Sequence, residues 1–155
     1  MDNEVSQVRS EICSTIQAYA HAKTEYHKLH SRIEEVAKIL HQEVCRKEIR
    51  IMPSTSLDRF VYNDTNDCIK VYLNEWRDYA PDEVEYDIPI KIFTLSDNAV
   101  RNLALEKLAD KLVNEIKYKK QKALREYQER VEAEELAELA RLKAKYEQHN
   151  HDEVD

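Results

Sequence analysis

Apolar or aromatic side chains return every seven residues at Val5, Ile12, Tyr19, Tyr26, Ile33 and Leu40, and Val8, Ala22, Leu29 and Val36 follow most of them three places later. A strict seven-residue repeat keeps its seam on one side of a helix only when the helix supercoils around a partner. The pattern therefore predicts a coiled-coil helix over residues 3–47. Thr15 and Glu43 interrupt the seam, while Ile16, Ala37 and Val44 widen it on one flank, which predicts more than one neighbour. Pro53 cannot continue the helix, so its end is expected between about 45 and 52.

The pattern changes in residues 48–95. Val84, Tyr86, Ile88, Ile90 and Ile92 alternate with Glu85, Asp87, Pro89, Lys91 and Phe93, the period of a half-buried strand. Pro89 brings no amide donor and so places that strand on a sheet edge, with 48–52 and 59–62 as candidate partners. Residues 67–79 fit two periods. Ile69, Val71 and Leu73 alternate as in a strand, whereas Ile69, Tyr72, Leu73, Trp76 and Tyr79 recur as on one helix face; a short helix stopped before Pro81 is the favoured reading.

Ser96 or Asp97 is the expected N-cap of a second long helix over 96–148. Its stripe runs through Leu105, Leu108, Leu112, Ile116, Ala123, Tyr127 and Val131, then resumes out of phase at Leu136, Leu139, Leu142 and Tyr146. Residues 149–155 are expected to be a disordered tail. The fold class is then mainly α: two long coiled-coil-type helices flanking a small α+β module with a short antiparallel sheet. A helix of about 45 residues spans roughly 65–70 Å and cannot cover its own stripe. The two arms must fold back on each other as an antiparallel hairpin, or copies of the chain must pair. The outline resembles prefoldin-type chaperone subunits, which also put a small β element between two coiled-coil helices. The glycines and hairpin spacing of that family are missing here, so the resemblance implies a chaperone-like role and transfers no residue.

Composition narrows the chemistry. The 155 residues include no glycine, against an average near 7%, so glycine-rich phosphate loops and the nucleophile elbow are excluded. Cys13, Cys45 and Cys68 form no CxxC pair, and with neither an evident secretion signal nor a long apolar run they are expected to be thiols in a reducing cytoplasm. Charge is unevenly placed. Residues 58–87 hold three basic and nine acidic side chains, which is minus six of the chain's net minus seven.

Each candidate site weighs against a plainer role. His27, His30, Glu34 and His41 share a helix face but lack a zinc-protease spacing, and no metal or cofactor is expected. The many carboxylates between Asp64 and Asp87 read as a solvated surface, because nothing in the pattern singles out a desolvated member as an acid or base. Tyr72, Trp76 and Tyr79 offer stacking platforms, yet the local charge has the wrong sign for direct binding of nucleic acid. The basic stretch 117–125 is followed at once by acidic helix, a salt-bridging pattern. No enzyme motif is present. The expected function is that of a non-enzymatic adaptor, assembly factor or chaperone-like protein. Its interface between copies, in a dimer or higher oligomer, comprises Val5, Ile12, Tyr19, Tyr26, Ile33, Leu40, Leu105, Leu112 and Ile116, and its protein partner meets Tyr72, Trp76, Arg77, Asp78, Tyr79 and Asp82. The alternative is an inhibitor of the phage or mobile-element type whose acidic module mimics nucleic acid. No membrane contact is expected.

Overall fold

The structure, a computed structural model, describes the backbone of residues 2–77 and 80–152 and the side chains of 5–76 and 80–147. Its elements are α1 (Asp2–Lys47), β1 (Ser54–Asn63), β2 (Cys68–Arg77), β3 (Ala80–Pro89), α2 (Ile90–Phe93) and α3 (Asn98–Asp152). The protein is mainly helical, with a three-stranded antiparallel sheet of order β1-β2-β3 between the long helices. Two compact units divide it, residues 1–110 and 111–155. No described helix is long and apolar enough to cross a membrane.

The central strand corrects the helical reading of 67–79. Residues 68–77 form β2, hydrogen-bonded to β1 on one side and β3 on the other. Both periods were present in the sequence, and a strand with ladders on both edges satisfies every backbone group that one isolated helical turn leaves open. β3 is the expected edge strand, but its partner is β2 rather than 48–52 or 59–62. The alternation of Ile90 and Ile92 is not carried through. Pro89 is the last strand residue, and the chain turns into α2 with Ile92 buried. Arg32 ties α2 to α1, donating to the Phe93 carbonyl at 2.7 and 3.1 Å and to that of Leu95 at 3.1 Å.

One face of the sheet builds the core of the first unit. Ile69, Val71 and Leu73 of β2 and Tyr86 and Ile88 of β3 face the second half of α1, where Ile33, Val36, Ala37, Leu40 and Val44 are fully buried. Leu105 and Ala109 of α3 complete the core. Ion pairs fix the direction of this helix pair: Arg101 meets Glu35 at 3.3 Å, and further along both helices Lys47 meets Asp110 at 2.6 Å. The start of α3 therefore runs parallel to α1, not back along it as in a hairpin, because the sheet carries the chain back to the beginning of the covered stretch. Asp97 is the N-cap, its carboxylate accepting from the amides of Ala99 and Val100 at 2.8 and 3.1 Å.

The expected interface residues separate. Ile33, Leu40 and Leu105 lie fully inside the chain's own core, which removes them from any surface between copies. Val5, Ile12, Tyr19 and Tyr26 are 54–69% exposed except Ile12, at 53%. Tyr26 stacks on Phe60 of β1 with ring centroids 6.2 Å apart, so the sheet reaches α1 only from there onward. Leu112 and Ile116 are half-buried. In the second unit α3 is braced by pairs such as Lys122–Glu126 and Arg141–Glu138, and Tyr127, Leu136, Leu139 and Tyr146 are exposed. The helix continues to Asp152, past the boundary expected at 148.

Zero glycine has a local cost at the end of α1. The Arg50 amide donates to the Cys45 carbonyl at 3.1 Å and the Ile49 amide to that of Arg46 at 3.2 Å, the two bonds of a Schellman cap. The left-handed residue such a cap requires is Ile49, at φ 55°. A β-branched side chain there is strained by about 1–2 kcal/mol. Asp67, in the β1–β2 turn, also takes a positive φ, 49°, which a short polar side chain tolerates better.

Candidate functional site

The two faces of the sheet differ in chemistry because alternate side chains point to opposite sides. On the outer face Ser56, Arg59 and Val61 of β1 stand beside Asn74, Tyr72 and Lys70 of β2, which in turn face Glu83, Glu85 and Asp87 of β3. The Arg59 guanidinium lies 3.9 Å over the Tyr72 ring and binds both Glu83 oxygens at 2.7 and 3.2 Å. The hydrogen bonds it donates to Glu83 and then to Asp58 hold that guanidinium above its ordinary pKa. The negative charges of Asp87 and Glu85 raise the Lys70 pKa. At the far end Trp76 is 54% exposed, opposite Ser54 and Pro81.

The expected recognition residues meet only in part. Tyr72 and Trp76 share this outer face. Asp82 is opposite Glu75 in the register, so it belongs to the other face and does not join them. The side chain of Arg77, together with Asp78 and Tyr79, lies outside the described residues. Arg59 is the contributor that sequence reading missed; only the pairing of β1 with β2 places it over Tyr72.

The inner face ends in a buried polar cluster. His41 and Cys45 are four residues apart and share a face of α1. Glu75 continues the inward alternation of Ile69, Val71 and Leu73, and all three polar residues are at most 2% exposed. His41 Nε2 is 3.0 Å from Glu75 Oε1 and 3.4 Å from Cys45 Sγ, while His41 Nδ1 is 2.7 Å from the Tyr86 hydroxyl. Arg50 closes the outward side, donating to Glu75 at 2.9 Å and to Glu48 at 2.8 Å. Burial opposes the Arg50 charge, but the bonds to Glu75 and Glu48 outweigh it and raise the pKa. Burial pushes the Tyr86 hydroxyl well above the usual tyrosine range, so it stays protonated.

The His27, His30 and Glu34 face does not assemble into a cluster of this kind. His30 sits edge-on to Phe60, and Glu34 is paired with Lys38 at 2.8 Å. His41 is the member drawn into the core, and sequence reading did not connect it to Cys45 and Glu75. The spacing of His41 and Cys45 was a readable signal, as was a carboxylate in phase with an apolar strand face; their junction was not. Compared with protein-family models, curated proteins and solved structures, the chain gives no significant match.

Proposed function

We propose that the chain is a non-enzymatic interaction protein, an adaptor, assembly factor or chaperone-like module. It pairs with copies of itself as a coiled coil along the first half of α1 and presents the outer face of its sheet to a protein partner. The observation that carries this reading is the run Val5, Val8, Ile12, Ile16 and Tyr19, each 53–69% exposed at coiled-coil spacing on one helix. Apolar area of that extent along a single helix is stabilised by a covering surface, and the heptad spacing suits an identical helix best.

The outer sheet face supports the second half of the reading. Trp76 and Tyr72, with Arg59 held over the tyrosine ring, are the residue types that anchor protein interfaces. The bulge between Leu57 and Arg59 in β1 and the prolines at both ends of β3 make the sheet edges poor templates for added strands. That favours recognition by the face. The enclosed position of His41 and Cys45 favours a non-catalytic role, since neither thiol nor imidazole is presented to a substrate. Mimicry of nucleic acid is the weaker reading, because Arg59 and Lys70 offset the carboxylates of Glu83, Glu85 and Asp87.

Sedimentation equilibrium of the full chain tests self-association. Concentration-dependent oligomers that dissociate on Ile12→Glu support the reading, and a monomer at every concentration overturns it. Capture of partners with Trp76→Ala beside the unaltered chain tests the sheet face, and an unchanged set of partners removes that surface from the proposal.

A further inference from the structure

We propose that His41, Cys45 and Glu75 bind one borderline-soft divalent cation of the zinc class, held between α1 and β2. Among the described residues these three bring a ring nitrogen, a thiol sulfur and a carboxylate oxygen within 4.8 Å of one another, all buried. Around a tetrahedral zinc, with bonds of about 2.3 Å to sulfur and 2.0–2.2 Å to nitrogen and oxygen, neighbouring donors stand about 3.4–3.6 Å apart. The sulfur–nitrogen separation of 3.4 Å already fits and the nitrogen–oxygen separation of 3.0 Å needs a small widening, while the group as a whole, which spans up to 4.8 Å, must draw together on binding.

The surrounding groups suit the same occupant. A ligating histidine commonly donates its second ring N–H to an oxygen, which fixes the tautomer. The Tyr86 hydroxyl stands 2.7 Å from His41 Nδ1 and can accept that proton, which directs the Nε2 lone pair toward Cys45 and Glu75. Arg50 donates to the same Glu75 oxygen that faces His41, which fixes the carboxylate and leaves that oxygen a further lone pair for the cation, and Arg50 shares its own charge with Glu48. A thiolate, a carboxylate and a neutral imidazole balance a dication, which lowers the penalty of burying charged groups here. The sulfur donor disfavours magnesium and calcium. Three protein donors leave the fourth place to the second Glu75 oxygen or a water. The cation links the last turns of α1 to the central strand and acts on stability. Binding takes the Cys45 thiol proton into solvent, so affinity falls in acid.

Cobalt(II) is the probe, because a thiolate bound to it gives a charge-transfer absorption in the near ultraviolet. The chain has three cysteines, and Cys13 is exposed while Cys68 is only partly covered. The double variant Cys13→Ser, Cys68→Ser therefore keeps the fold and leaves Cys45 as the sole thiol. After reduction and chelation, the unaltered chain and this double variant are each titrated with cobalt and then with zinc. The expected result is one equivalent of cobalt bound in both, with the charge-transfer band displaced by zinc and a raised unfolding temperature in metal. Tyr86→Phe should weaken binding about 10–100-fold while keeping the band. A double variant with no band overturns the proposal and leaves a closed hydrogen-bonded network. So does a band that the unaltered chain shows and the double variant lacks, which belongs to the surface thiols.

Discussion

The two halves of α1 carry the same repeat and meet different fates. From Val5 to Tyr19 the seam is more than half exposed, whereas Ile33, Val36 and Leu40, in the same phase, are fully buried under the sheet and the start of α3. The heptad reports where a stripe lies on a helix. It does not report whether the cover comes from the same chain or another. The seam ends its exposed course at Tyr26 and His30, where Phe60 of β1 first touches the helix.

Substitutions at equivalent seam positions give the sharpest test of this contrast. Leu40→Ala should cost about 2–5 kcal/mol, the range for a cavity in a closed core, whereas Ile12→Ala in the dilute, dissociated chain should change stability by less than about 0.5 kcal/mol. Urea unfolding followed by circular dichroism measures both. Equal losses at every protein concentration would mean that the first half is covered from within. Next in size is the bond that joins the covered half to β3. Tyr86→Phe should cost about 1–3 kcal/mol, because it leaves a buried polar neighbour without its hydroxyl.

Alkaline titration separates that effect from a loss of shape. Burial raises the Tyr86 pKa from an ordinary value of 10.0. Folding then favours the neutral hydroxyl, and its contribution is complete below that value and is lost as the pH climbs toward the folded pKa. Unfolding midpoints should therefore fall as pH rises above about 10, and the fall should be shallower in Tyr86→Phe. A slope identical in the two proteins assigns the alkaline loss to other groups.

Two smaller changes probe the end and the middle of the covered half. Ile49→Gly should stabilise the chain by about 1 kcal/mol, since glycine accepts the left-handed conformation at little cost. A loss instead would show that the exposed isoleucine is held by a surface outside this chain. Lys38→Met removes the hydrogen bond, and with it the Coulomb attraction, that lower the Glu34 pKa. That support is present above the ordinary carboxylate value of 4.5 and fades as pH falls through the folded value. Both side chains are partly in solvent, so the expected effect is about 0.3 kcal/mol, smaller in high salt.

The long elements were legible because they depend on local chemistry. The α1 pattern and Pro53 bracketed its end, Asp97 was one of two caps considered for α3, and the alternation through Val84, Tyr86 and Ile88 marked an edge strand, although the same alternation ran on through Ile90 and Ile92, past the strand's end at Pro89. β2 was not legible. Ile69, Tyr72, Leu73 and Trp76 satisfy a helix as well as a strand, and the choice falls to hydrogen-bonding partners on both sides, which lie elsewhere in the chain. The buried cluster escaped for the same reason. His41 and Cys45 are neighbours on one helix, but Glu75 reaches them only after β2 is recognised as a strand and its register is set.

Cys45 occupies two bonding patterns at once. Its sulfur faces His41, and its carbonyl receives the Arg50 amide that closes α1. Fraying at that terminus and loosening of the inner polar group are therefore one event. Deuterium uptake at a single backbone position, the Arg50 amide, would read out how often the protein's interior opens there and would slow with anything that draws the three donors together.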